Sequence, residues 1–167
     1  MLNDNITKSD YILRLCVVIF AALSPFICLF LVGYRSSLSQ YWNTPMQPLF
    51  VFANAATSYY LITIKNWKLS SILLILLTAF SVEYYNSIHN IFAVIFFIAT
   101  AISLWKANHF KFCFWIYLTS LIALPFSMLY AEIIAIVSMC IFHLLTLNKV
   151  YSVQQKRIEV NQNQHQV

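Results

Sequence analysis

The sequence predicts an all-α polytopic membrane protein, a bundle of six transmembrane helices. Three observations predict it. The chain has 167 residues, of which 61% are hydrophobic and 9% charged, and its mean hydropathy is +0.75. Soluble domains carry roughly 25% charged residues, so this much apolar surface exceeds what a small core could hide, and the bilayer is the expected solvent. The apolar residues fall into six runs separated by short polar turns. The ten Lys and Arg then divide very unevenly between the two sides that six spans define.

Residues 1–10 read as a short polar tail. The first span is 11–32, long enough at about 1.5 Å per residue to cross a core of roughly 30 Å, with a kink at Ser24-Pro25. It is long, and no small-x-small cleavage site follows it cleanly, so it reads as a retained helix rather than a signal peptide. The loop 33–43 holds the only Gly. The second span, 44–64, opens on an apparent capping box: Thr44 as N-cap, Pro45 at N1 and Gln47 at N3 reaching back. Asn54, Thr57 and Ser58 share one arc of it and read as interhelical hydrogen-bonders.

A tight turn, 65–68, leads into a short third span, 69–84, which borrows Glu83 and Tyr84 as its outer end. Ser87 is the expected N-cap of the fourth span, 88–105. The polar turn 106–109 precedes the fifth span, 110–128, with Pro125 near its far end. The sixth span is 129–147. From Asn148 the chain is polar and rich in Gln and Asn, and it is expected to fray beyond Arg157. The domain division is therefore 1–150 for the six-helix transmembrane domain and 151–167 for a polar cytoplasmic tail.

Six spans place both termini on one side. Lys8, Arg14, Lys65, Lys68, Lys106, Lys111, Lys149, Lys156 and Arg157 lie there, and only Arg35 lies opposite. The positive-inside rule then puts both termini in the cytoplasm, and the expected location is the cytoplasmic (inner) membrane of a bacterium. The net charge of +5 is scattered singly between apolar runs, with no basic stripe, so no nucleic-acid partner is expected. Membrane lipids are the expected partners. Trp42, Trp67 and Trp105 read as interfacial anchors, and Lys156-Arg157 as a juxtamembrane contact for anionic lipid. Cys16, Cys28, Cys113 and Cys140 lie in apolar runs with no metal-binding spacing, and they read as small hydrophobes rather than disulfide partners. With one Gly, no GxxxG contact can form, so close helix contacts fall to Ala and Ser. Ala22 to Phe26 and Ile122 to Phe126 share a Leu-Pro-Phe pattern, which chance explains in so apolar a chain.

The loop Tyr34-Arg35-Ser36-Ser37-Leu38-Ser39-Gln40-Tyr41-Trp42-Asn43-Thr44-Pro45-Met46, followed by Phe50-Val51-Phe52, resembles the "S-x-S-x-Y-x-x-T-P-M" signature of an uncharacterised family of six-span bacterial and archaeal membrane proteins. His89 to Phe97 is similar to that family's "H-x-x-x-A-x-x-F-F" segment, which opens its fourth span. The resemblance covers roughly 33–104 and implies the six-span fold. It extends more distantly to the Frag/DRAM/Sfk group, linked to lipid and membrane homeostasis. The chain departs from the family between spans three and four, where a longer loop containing Pro and Asp is replaced by Glu83-Tyr84-Tyr85-Asn86.

The polar groups expected on the outer side are Arg35, Tyr41, Asn43, Glu83, Asn86, His89, Asn90 and Glu132. At about 100° per residue, His89, Ala93, Phe96, Thr100 and Ser103 lie within about 40° of one direction and should face the bundle. On the sixth span Glu132 and His143 are about 16 Å apart, which leaves His143 on the inner side. Arg35, Tyr41, Glu83, His89 and Glu132 are the candidate ligand-binding residues. Two carboxylates near one guanidinium leave a net negative site that attracts a cation or a headgroup amine. Glu83, His89 and Glu132 are the candidates for acid–base chemistry. The structural alternative is that Arg35 neutralises one Glu while His89 hydrogen-bonds a loop carbonyl. Only one His is available on that side, so neither a metal site nor a cofactor is expected. The reading is a binding or accessory membrane protein. Its alternatives are an intramembrane lipid-modifying enzyme and a small-molecule transporter subunit, the last disfavoured by the lack of Gly-broken helices.

Overall fold

The computed structural model describes residues 6–107 and 109–164. Among them are six α-helices and no strand: α1 Lys8–Val32, α2 Gln47–Ile62, α3 Lys68–Ala79, α4 Asn86–Lys106, α5 Lys111–Ala123 and α6 Met128–Gln164. Two 3-10 turns, Leu38–Asn43 and Lys65–Trp67, precede α2 and α3. Each helix packs on its neighbours in sequence, and α6 closes the ring against α1.

Three helices, α1, α4 and α6, are long and apolar enough to cross a membrane. The others rise less than a hydrocarbon core: roughly 24 Å for α2, 18 Å for α3 and 20 Å for α5. The outer surface is apolar, with Phe30 88% and Phe126 86% exposed, and Phe52, Ile91 and Ile122 also face outward. Exposed large apolar side chains on all six helices suit lipid.

Helix ends differ from the sequence expectation where tertiary contacts decide them. α1 starts three residues before the predicted span because Thr7 caps it, accepting from Asp10 N at 3.1 Å while its hydroxyl donates to the Asp10 carboxylate at 2.8 Å. Pro25 lies inside α1, as predicted, and is buried. Gly33 ends the helix at φ 86°, a conformation that side chains resist even though a Cβ there would meet no atom within 4 Å.

The capping box at Thr44 does not form. α2 begins at Gln47 with Pro48 in its first turn, and its N-cap Met46 makes no side-chain cap bond. The Thr44 hydroxyl instead donates to the Tyr41 carbonyl at 2.7 Å and accepts from Met46 N at 3.2 Å, stitching a turn ahead of the helix. α3 stops at Ala79, short of the predicted 84, because Phe80 turns extended and anchors its ring against Tyr85 and Phe92. Ser87 is not a cap: α4 starts at Asn86, after Tyr85. α5 ends at Ala123, so Pro125 lies in the turn that follows rather than within the helix.

The largest departure is at the C-terminal end. α6 runs unbroken through position 150 to Gln164 instead of fraying into a tail. The start of the chain holds it. The Tyr11 ring stacks on Tyr151 at 4.2 Å, the Tyr11 hydroxyl donates to Asn148 at 2.6 Å, and Ile6 N donates to the Gln154 side chain at 2.9 Å.

Serines make the close contacts in the absence of glycine. Ser58 and Ser71, both fully buried, exchange hydroxyl-to-carbonyl bonds at 2.7 and 2.8 Å between α2 and α3. Thr100 on α4 donates to Ser70 at 3.3 Å. Trp67 is no interfacial anchor. It is buried at 3% exposure against Phe142 and His143, because the 3-10 turn swings the indole under α6. Trp105 is exposed, with the Lys111 ammonium over its ring. Cys28, Cys113 and Cys140 are buried thiols, Cys16 is exposed, and all four are free.

Candidate functional site: a cavity beneath the 34–43 loop

The stripe on α4 faces the bundle as its spacing requires: His89, Ala93, Phe96, Thr100 and Ser103 are all buried. His89 sits one turn into α4, opposite the end of α3. When α3 stops, its last carbonyls lose their helical donors. One of them, Phe80 O, takes the His89 ring nitrogen Nδ1 at 2.6 Å. A carbonyl only accepts, so Nδ1 carries the proton, and Nε2 of the neutral ring is left as an acceptor. The loop-carbonyl role anticipated for His89 is therefore observed.

Glu132 lies one turn into α6 and is also buried. Its carboxylate accepts the backbone N–H of Leu38 at 2.6 Å, so it holds down the start of the 3-10 turn. Tyr41 is fully buried in the same turn, and its hydroxyl donates to the Gly33 carbonyl at 2.8 Å. Burial pushes that phenol above its ordinary range; nearby Cys28 adds to the shift and Arg35 opposes it. Tyr41 is thus a strut of the loop, with its hydroxyl engaged internally. Ser36 N bonds the Gln40 side chain at 3.1 Å, and Tyr34 pairs with Ser127 at 3.1 Å, so both edges of the loop are tied down.

His89 and Glu132 line one cavity of about 70 Å³, together with Leu38, Ser39, Asn54 and Phe96. Arg35 and Glu83 are not in it. Both are exposed, and they line a separate open depression of about 530 Å³ with Gln40, Asn43, Thr44 and Asn86. The five sequence candidates therefore split into a buried pair, an exposed pair and a strut. Asn54, expected only as an interhelical hydrogen-bonder, joins the buried pair. Helical spacing could have suggested this, since Asn54 lies one turn before Ser58 on the buried arc of α2.

The exposed charges of the depression sit in high dielectric and interact weakly. The buried cavity is different. A neutral His89 Nε2 and the carboxylate oxygens of Glu132 are acceptors, and low dielectric strengthens their pull on a donor or cation. Among the described residues no group of three His, Cys, Asp or Glu is placed to hold a metal ion. A cavity of about 70 Å³ holds a few atoms, the size of an ammonium group with its first carbons or of two or three waters.

Comparison with protein-family models, with curated proteins and with solved structures finds no match to this chain.

Proposed function

We propose that this chain is a six-span protein of the cytoplasmic membrane, with both termini in the cytoplasm, and that it binds an amine-bearing lipid headgroup or small polar ligand beneath its outward 34–43 loop. The observation that carries the binding reading is the convergence of His89 and Glu132 on one cavity, where Nε2 of the neutral His89 ring and the Glu132 oxygens are acceptors beside the Asn54 amide. The separate exposed depression lined by Arg35 and Glu83 offers opposite charges to the remainder of a zwitterionic headgroup. The resemblance of the 34–46 loop to uncharacterised six-span membrane proteins is consistent with this, and it adds no chemistry.

The six-span reading is supported by the ring of six packed helices, the exposed apolar side chains and the one-sided Lys and Arg. α2, α3 and α5 are short by themselves, α3 is extended at its start by the Lys65–Trp67 3-10 turn, and a bilayer thins around short spans.

One observation favours the enzyme alternative. His89 has its Nδ1 bonded to a carbonyl, which in the neutral ring leaves the other nitrogen to accept a proton, the arrangement that prepares an imidazole as a general base. Glu132, engaged with Leu38, would be its companion, whereas Glu83 lies in the other depression. Native mass spectrometry of the protein extracted from membranes tests the binding reading. Retained phosphatidylethanolamine that is lost in Glu132→Gln is expected. Equal retention in both proteins would refute it, and a lipid released with altered mass would favour the enzyme.

A further inference from the structure

A second cavity lies at the opposite, Lys-rich end of the bundle. It measures about 180 Å³ and lies between the 65–67 turn, the end of α4, the turn before α5, and α6. Its walls include Trp67, Ser103, Lys106, His109, His143 and Thr146. Several of its buried polar groups are already paired. Ser103 donates to the Asn66 and Ala99 carbonyls at 2.8 and 2.9 Å. The Thr146 hydroxyl donates to Phe142 O at 2.8 Å, so at 3.4 Å it accepts from His109 Nε2.

His143 is the exception. It is 2% exposed, and among the described residues its Nε2 is a buried polar atom without a partner. Its Nδ1 meets the Tyr60 hydroxyl at 3.1 Å. His143 lines the large cavity and also a separate gap of about 10 Å³ that Tyr60 lines. A phenol is the stronger acid and an imidazole the stronger base, so Tyr60 donates to Nδ1 and the ring proton sits on Nε2. Protonation of the ring would leave Nε2 a donor as well. The cavity wall thus includes a residue with an unpartnered buried N–H, the exposed Lys106 lines the same cavity, and Lys65 and Lys68 are exposed on either side of its Asn66–Trp67 wall in the chain. α3 begins at this wall with no side-chain cap on its first amides, which adds a positive dipole end.

We propose that this cavity binds a phosphate group, either free phosphate or the phosphate of a lipid headgroup, with His143 Nε2–H and Lys106 Nζ as its donors. A buried donor with no partner is costly, and an oxyanion satisfies it with a charge-assisted bond. The site is independent of the His89 and Glu132 cavity, and either can fail alone.

Isothermal titration of the detergent-purified protein with inorganic phosphate, and separately with dihexanoyl phosphatidic acid, tests it. Saturable binding of at least one probe is expected. Phosphate alone binding identifies a soluble anion, and phosphatidic acid alone a lipid headgroup. His143→Phe is expected to weaken binding roughly tenfold or more through loss of a hydrogen bond to a charged group. Lys106 is exposed, so Lys106→Gln keeps the fold even if His143→Phe does not, and it is expected to weaken binding about threefold to tenfold. Lys156→Gln, with the same charge change far along α6, is expected to bind within about twofold of wild type. No saturable heat with either probe overturns the proposal. So does wild-type affinity in Lys106→Gln, or an equal loss in Lys156→Gln.

Discussion

Glu132 separates two roles that one side chain combines, holding the loop and charging the cavity. Its carboxylate accepts the Leu38 N–H at 2.6 Å, and Leu38 itself is buried. Glu132→Ala leaves that N–H without a partner, at a cost of about 1–3 kcal/mol. It also enlarges the cavity of about 70 Å³ that Glu132 lines, so the lost packing adds to the cost. Glu132→Gln is nearly isosteric, keeps an oxygen for Leu38 and removes the ionisable group, whose charged form is unfavourable to bury. The expected order of stability is therefore Gln at or above wild type, with Ala below. For a chain of this size a loss of about 2 kcal/mol lowers the melting temperature by roughly 4–8 °C. Thermal unfolding in detergent reads the order, and limited proteolysis within 34–43 reads the loop. Equal melting of the Ala and Gln variants would mean that the Leu38 bond does not hold the loop, and the architecture of the outer cavity would have to be abandoned.

Reporter fusions after Lys65, Lys106 and Lys149 are expected to report the cytoplasm and one after Tyr41 the outside; an external signal at Lys106 sinks the six-span reading. Ser71→Ala is expected to cost about 1 kcal/mol, and Ser71→Leu about 2–4 kcal/mol because it also overpacks the α2–α3 contact, as read by unfolding in detergent. A neutral Ser71→Leu would mean that the two helices do not meet there. Thr44→Ala is expected to cost about 1 kcal/mol and open the 38–46 turn to protease, with Thr44→Ser restoring it; protection of the Ala variant would count against the hydroxyl's bond to Tyr41. Burial, reinforced by Lys149, lowers His109 from its ordinary 6.5, so the folded state prefers the neutral ring. Its contribution is then fully present above about pH 6.5 and is lost as pH falls through the lowered value. Melting curves from pH 8 to 5 are expected to show a loss in wild type that His109→Gln lacks; parallel curves refute it.

The helices were legible in the sequence because apolar runs and polar turns alternate, and the α4 stripe was legible because 100° spacing needs no partner to be seen. Elements set by distant contacts were not. The α6 extension reads as a polar tail from composition, and its contacts with Tyr11 and Ile6, far away in the chain, cannot be read from the sequence. Trp67 sits beside two lysines and so looks interfacial, yet the 3-10 turn folds it inward. The split between His89 with Glu132 and Arg35 with Glu83 depends on where α3 stops, which Phe80 packing decides. His143 was placed at the correct end by counting along α6. Its importance rests on Tyr60 and Trp67, and sequence spacing cannot bring those together with it.

The length of α6 has a mechanical consequence. At about 1.5 Å per residue its 37 residues make a rod of roughly 55 Å, nearly twice the hydrocarbon thickness. Glu132, His143 and the residues gripped by Tyr11 are fixed points on that rod, so none can shift along its axis without the others. Any displacement of the rod along its axis would carry Glu132 and His143, and so one wall of each cavity, together. The grip of Tyr11 and Ile6 sets how much push is needed, because a rod clamped near its free end must break the Tyr151 stack and the Gln154 bond before it slides.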